Sequence, residues 1–135
     1  MSTDLAIVVP DRPGALSAAW DKLASAGVNI DGACSFPGRG QTWVILHILV
    51  EDRAAARSAI EAAGFQVEEE RDVSVHTLEN KPGALAELFH SYLHEGKNVD
   101  LMYMGADNKL VIGTDDSHAD RPGYNTLGER IDDAG

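Results

Sequence analysis

The sequence is poor in the residues that several function classes require. Of its 135 residues only Cys34 is a cysteine, so no intramolecular disulfide can form. A lone thiol in an apolar stretch is most often a small buried hydrophobe. Basic residues are scarce: 11 Lys and Arg stand against 22 Asp and Glu, for a formal net charge of −11. That balance argues against nucleic acid, whose phosphates need a basic footprint, and against an anionic membrane surface. It does not call for a cationic substrate, because dispersed carboxylates mostly serve solubility. No apolar run approaches the roughly 18 residues needed to span a bilayer. The opening Met1-Ser2-Thr3-Asp4 has no basic segment leading into an apolar one. A soluble, cytoplasmic protein is the expectation. Catalytic sets are missing too: no Cys/His or Ser/His/Asp spacing matches a motif, and there is no phosphate-binding Gly-x-x-x-x-Gly-Lys loop. Of the five histidines, His47, His76, His90, His94 and His118, only His90 and His94 share a predicted helix face. That pair lacks a third ligand beyond the nearby Glu87 and Glu95, and it reads as a solvated face; no metal or cofactor is expected.

What the chain does have is a repeat. Arg12-Pro13-Gly14-Ala15-Leu16 is echoed by Lys81-Pro82-Gly83-Ala84-Leu85, and Gly27-Val28-Asn29-Ile30-Asp31 by Gly96-Lys97-Asn98-Val99-Asp100. Pro13 to Pro82, Gly27 to Gly96 and Asn29 to Asn98 are all the same 69 positions apart. A gapless match over both clusters makes the chain a tandem array of one unit, expected at residues 1–71 and 72–135. Units of about 70 residues sit near the lower limit for independent folding.

In the first repeat, Leu5-Ala6-Ile7-Val8-Val9 reads as a buried strand. Asp11 is a candidate N-cap and Pro13 suits a first helical turn. Leu16, Ala19, Trp20, Leu23 and Ala26 build one apolar helix face, closed by Gly27. A second strand is predicted from Val28-Asn29-Ile30 through Phe36, a turn at Pro37 to Gly40, and a third strand from Thr42 to Val50. Asp52 caps a second, alanine-rich helix that ends at Gly64. A fourth strand begins at Phe65-Gln66-Val67 and fades into Glu68-Glu69-Glu70, read as an exposed linker end. The order is β-α-β-β-α-β, the split βαβ plan with helices on one face of an antiparallel sheet.

The second repeat starts with Val73 to Leu78. Its helix carries Leu85, Leu88, Phe89, Tyr92 and Leu93 as a core face, and a hairpin follows over 98–104 and 109–113. Beyond Thr114 the copy degrades. Tyr124, Leu127 and Ile131 could form a short helical face, but no last strand is evident; either the sheet is one strand short or another chain supplies that edge. Asp120-Arg121-Pro122-Gly123 repeats the tetrapeptide at Asp11, but without a strand before it and reads as a turn.

The pattern of a strand, then [Asp/Asn]-x-Pro-Gly-x-Leu, a helix and Gly-x-Asn-[Ile/Val] resembles the signature of ACT domains. These are βαββαβ regulatory modules that usually bind amino acids or similar small metabolites. The resemblance covers residues 4–70 and 73–114 well and 115–135 poorly. As a whole the chain is similar to small stand-alone proteins of two ACT domains and no catalytic domain. The resemblance implies α+β architecture with two ferredoxin-like units. It implies one ligand site using Asp11, Arg12, Pro13, Gly14, Ala15 and Leu16 with Asn29 and Ile30. A second would use Asn80, Lys81, Pro82, Gly83, Ala84 and Leu85 with Asn98 and Val99. Such sites commonly lie where two ACT units meet.

The residue types fit that chemistry. Glycine lets a ligand approach the backbone, helix-start N–H groups suit a carboxylate, and an amide both donates and accepts. The plain alternatives are a helix start with good turn chemistry, and asparagines that close a turn on nearby backbone. Asp31 and Asp100 read as structural or solvated. An anionic Asp11 disfavours an incoming carboxylate and the neutral Asn80 does not, so the two sites are expected to differ. The leading expectation is a non-enzymatic amino-acid-binding sensor or regulatory protein that works as a homodimer. A regulatory subunit or adaptor acting on a protein partner is the alternative, and an enzyme on a ferredoxin-like scaffold a third.

Overall fold

The computed structural model describes residues 2–38, 40 and 42–118, with only the backbone of His118. Arg39 in the first hairpin turn, the turn at Asp120 and the helical face of Tyr124, Leu127 and Ile131 lie outside the described residues, as does any last strand of the second repeat. The chain divides into two compact units, Met1–Glu70 and Arg71–Gly135.

The first unit runs β1 (Ser2–Pro10), α1 (Ala15–Ser25), β2 (Gly32–Pro37), β3 (Trp43–Val50), α2 (Arg53–Ala62) and the start of β4 (Gln66–Thr77). Its strands are ordered β2-β3-β1-β4. β1 and β2 both pair antiparallel with β3, Leu5 opposite Ile48 and Cys34 opposite His47. Alternation does the sorting. Leu5, Ile7 and Val9 of β1 and Leu46, Ile48 and Val50 of β3 point to one face, where they meet Ala15, Ala19 and Leu23 of α1 and Ala56 and Ile60 of α2. Burying a side chain such as Ile60 is worth roughly 1.5–3 kcal/mol. Asp52 caps α2 as its sequence position suggests, its Oδ1 accepting from the Ala55 N–H at 3.1 Å. At the end of α1, Gly27 N–H donates to Ala24 O and Val28 N–H to Leu23 O, each at 3.0 Å, the paired closure that ends many helices.

Three readings change. Val28 to Ile30 are not strand; β2 begins at Gly32. Glu68 to Glu70 are not an exposed linker end, because β4 runs unbroken from Gln66 to Thr77. Glu69 is buried, and the Glu70 carboxylate lies 3.5 Å from Arg57 and 3.9 Å from Arg53 on α2. Alternation in a strand, rather than the charge run, governs these side chains. Asp11 and Pro13 do not start α1 either, as the loop geometry below shows.

The second unit takes the remainder of β4 and continues through α3 (Ala84–His94), β5 (Val99–Met104), β6 (Lys109–Thr114) and a 3₁₀ turn at Asp115–His118. Its strand order is β4-β6-β5. β6 is antiparallel to both neighbours, Ser74 and Met102 each opposite Ile112. Here the expected core face is corrected. Leu88, Phe89 and Tyr92 are half-buried, but Leu85 is 42% and Leu93 73% exposed, and no residue of α3 is buried. In the first unit α1 packs beside α2 over the sheet; among the described residues of the second unit α3 is the only α-helix. The strand types agree with that. The buried Leu5 and Ile7 of β1 correspond to an exposed Ser74 and to His76, whose Nε2 is hydrogen-bonded to the Tyr92 hydroxyl at 2.8 Å. Among the described residues no helix is long and apolar enough to cross a membrane.

Candidate functional site

The two Pro-Gly loops have the same backbone. In the first, Arg12 N–H donates to Pro10 O at 3.0 Å, Ala15 N–H to Arg12 O at 3.3 Å and Ala18 N–H to Gly14 O at 3.0 Å. In the second, Lys81 donates to Glu79 at 2.9 Å, Ala84 to Lys81 at 3.4 Å and Glu87 to Gly83 at 3.0 Å. The N-cap residue is the glycine in both, with φ and ψ of 85° and −11° at Gly14 and 90° and −15° at Gly83. Asp11 and Pro13 therefore belong to the turn ahead of the helix, and Pro13 is not its first residue. A positive φ explains the glycine: a side chain there clashes with its own backbone. Around each, a Cβ would meet nothing within 4 Å, so the space beside the glycine itself is open.

Glycine at the cap has a chemical consequence. It carries no side-chain acceptor, so neither α1 nor α3 has a side-chain cap, whereas α2 has Asp52. First-turn N–H groups left this way carry partial positive charge and favour an anion. Asp11, Arg12, Pro13 and Gly14 are exposed, Ala15 is buried and Leu16 half-buried. Asn80 through Gly83 and Leu85 are exposed, and Ala84 is half-buried.

Asn29 and Asn98 are exposed, with Ile30 and Val99 half-buried beside them. They do not lie next to their own loops. Each follows the C-terminal end of an 11-residue helix whose N-terminal end carries the loop. Such a helix is about 16 Å long. Among the described residues no hydrogen bond joins either asparagine to its loop. The Asn29 amide donates instead to Asp31 Oδ1 at 2.8 Å. A cavity of about 280 Å³ opens beside it, lined by Gly27, Asn29, Asp31, Glu51 and Asp52 among others and by no loop residue. Its three carboxylates disfavour an anion.

No family model matches the chain, and no curated protein does either. Solved structures do. The protein BT0572 from Bacteroides thetaiotaomicron is 28% identical, with a TM-score of 0.73 over 83% of this chain and 78% of that one. The ligand-free regulatory subunit of aspartate kinase from Thermus thermophilus is 19% identical, with a TM-score of 0.63 over 93% and 87%. That of Thermus flavus is 20% identical, again at 0.63, over 87% and 86%. The chain has the ACT-domain fold.

Two polar clusters of this ACT fold were not anticipated. In the first unit Asp4, fully buried, accepts from His47 Nδ1 at 2.7 Å, and the Phe36 ring stacks on the imidazole at 5.6 Å. Cys34 stands opposite His47 in the sheet. Asp, His and Cys together suggest a nucleophile, but burial and the Asp4 charge push the thiol up from its ordinary value. A nucleophilic cysteine needs the reverse. The signal was legible at His47, the lone polar residue of β3, and not at Asp4, which follows Ser2 and Thr3 in β1. In the second unit the Arg71 guanidinium, with a side chain 3% exposed, holds Asp100 Oδ1 at 2.7 Å, Thr114 O at 2.7 Å and Ser117 Oγ at 2.8 Å. Gly113 makes room for it; a Cβ there would sit 2.8 Å from Nη2. His90 and His94 are exposed on α3, and among the described residues no group of three His, Cys, Asp or Glu is placed to hold a metal.

Proposed function

We propose that this is a non-enzymatic regulatory protein that binds an amino acid through its Pro-Gly loops. One observation carries the reading. Both loops end in a glycine-capped helix with no side-chain cap and with open space at the glycine's Cβ position, while α2 is capped by Asp52. That is a cradle for a carboxylate. The asparagine end of the site carries donors and acceptors for the rest of a zwitterion. Loop and asparagine are a helix length apart in one unit, so the loop of one ACT unit and the asparagine of another would clasp a single ligand. A second copy of the chain supplies that other unit, and the protein works as a homodimer in a soluble, cytoplasmic setting. The likeness to regulatory subunits of aspartate kinase supports a regulatory role over a catalytic one.

The test is a thermal-shift screen of the purified chain against the twenty common L-amino acids, followed by calorimetry and a mass measurement in solution. A ligand at a hundredfold excess over its dissociation constant stabilises the native state by about 2.7 kcal/mol. No shift and no heat with any of them overturns the reading. One observation favours a second reading, an adaptor for a protein partner: Leu93 at 73% and Met104 at 52% exposed leave apolar surface on the second unit. Capture of a single stoichiometric partner, without amino-acid binding, would favour it.

A further inference from the structure

We infer that Asn98, and not Asn29, is the amide that reads the ligand, and that Arg71 makes it so by holding Asp100 aside. The inference rests on the amino-acid site proposed above. The two asparagines occupy equivalent positions of the repeat, each followed two residues later by an aspartate. Their side chains fare differently. Asn29 donates to Asp31 Oδ1 at 2.8 Å, which ties up one of its two amide hydrogens in a charge-assisted bond and leaves a ligand one donor fewer, with a carboxylate beside it. Asp100 is instead held by the buried Arg71 guanidinium at 2.7 Å. The Asn98 side chain has no hydrogen-bond partner among the described residues, while its carbonyl is fixed by the Asp115 N–H at 3.1 Å.

The backbone reinforces the difference. Asn29 and Asp31 lie in irregular chain ahead of β2, where the side chains can turn toward each other. Asp100 lies within β5, at the register shift between Val99 and Leu101. Arg71 reaches it from β4 and at the same time binds the carbonyl of Thr114 and the hydroxyl of Ser117, which flank the segment that anchors Asn98. One guanidinium thus fixes the backbone on which Asn98 sits and removes the carboxylate that would compete for its amide. The loop difference points the same way: Asn80 is neutral where Asp11 is anionic.

The experiment uses the full chain and the single L-amino acid, among the twenty, that shifts melting most. Calorimetry of the wild type is expected to give one ligand per chain. Asn98→Ala is expected to weaken binding by about tenfold or more, the scale of one lost hydrogen bond to a charged group. Arg71→Met is expected to weaken it roughly tenfold, because Asp100 loses the guanidinium and its carboxylate then competes for the Asn98 amide. The double variant Arg71→Met/Asp100→Ala is expected to bind about threefold or more tighter than Arg71→Met, since nothing then competes for the Asn98 amide, while the bonds to Thr114 and Ser117 stay lost. It also guards against Arg71→Met failing to fold. A merely structural Arg71 predicts that binding follows stability, so affinity is read where a urea titration shows each variant folded; there a structural role leaves Arg71→Met binding like the wild type. Two ligands per chain, an unaffected Asn98→Ala, or a double variant as weak as Arg71→Met overturns the inference while the amino-acid site stands. Absence of any wild-type binding overturns both.

Discussion

Replacing Gly14 or Gly83 by alanine isolates a backbone effect from packing. Both residues hold positive φ, 85° and 90°, with ψ of −11° and −15°. An L-residue with a Cβ pays about 1–2 kcal/mol in the left-handed region. Alanine also restricts the unfolded chain, which returns about 0.4–1 kcal/mol to the native state. No atom lies within 4 Å of the position either new methyl would take, so no clash adds to the sum. The net expectation is a loss of about 1 kcal/mol for each variant, equal in the two units. Urea denaturation followed by circular dichroism measures it, with the m-value unchanged. For a unit of this size that is roughly 4–8 °C in Tm. A variant as stable as wild type refutes the claim that φ is what demands glycine. A loss beyond about 3 kcal/mol refutes the claim that the methyl points into open space. The same methyl projects where a ligand carboxylate would approach, so binding is expected to suffer more than stability does.

Three further outcomes follow from particular contacts. Asp52→Ala removes the cap acceptor 3.1 Å from the Ala55 N–H, and the first unit is expected to lose about 0.5–2 kcal/mol by the same urea titration. Ile60→Ala opens a cavity at a fully buried site between α2 and the sheet, with an expected cost of about 2–5 kcal/mol; a loss under 1 kcal/mol contradicts the core assignment. Burial, and then the Asp4 charge, raise the Cys34 thiol, so the native chain holds that proton more tightly than the unfolded one. Its contribution to stability is therefore full below the ordinary thiol range and is lost as pH climbs through the raised value. Iodoacetamide is expected to alkylate Cys34 more slowly in the native chain than in urea at pH 8, and equal rates would count against the burial.

The elements of the first unit were legible because each signal was local. Alternating apolar residues in β1 and β3, alanine spacing in α1 and α2, and Asp52 three residues ahead of the Ala55 amide are all properties of neighbouring positions. The misreadings arose where a local signal met a competing one. Glu68 to Glu70 look like a solvated charge run until the strand places alternate side chains on opposite faces and Arg53 and Arg57 of α2 come within reach of Glu70. Leu85 and Leu93 look like core because they keep helical spacing. Spacing says which residues share a face, not whether another helix stands opposite it. The clue was in the strands instead, where Ser74 and His76 replace Leu5 and Ile7 on the side that faces the helices in the first unit.

The repeat identified equivalent positions, and the structure shows how little equivalence says about partners. Gly14 and Gly83 are equivalent in every respect that the backbone decides, because a positive φ depends on one residue alone. Asn29 and Asn98 are not, because a side chain's state depends on what arrives from elsewhere in the chain. The position that matters is Arg71, which has no counterpart in the first repeat: 69 positions earlier stands Ser2. Arg71 follows directly on Glu68-Glu69-Glu70, where no local pattern sets it apart. Folded, it is buried, and it converts the aspartate of a duplicated Gly-x-Asn-x-Asp segment from a partner of the neighbouring amide into a partner of its own. A single added cation on one strand is sufficient to make two copies of the same motif chemically different.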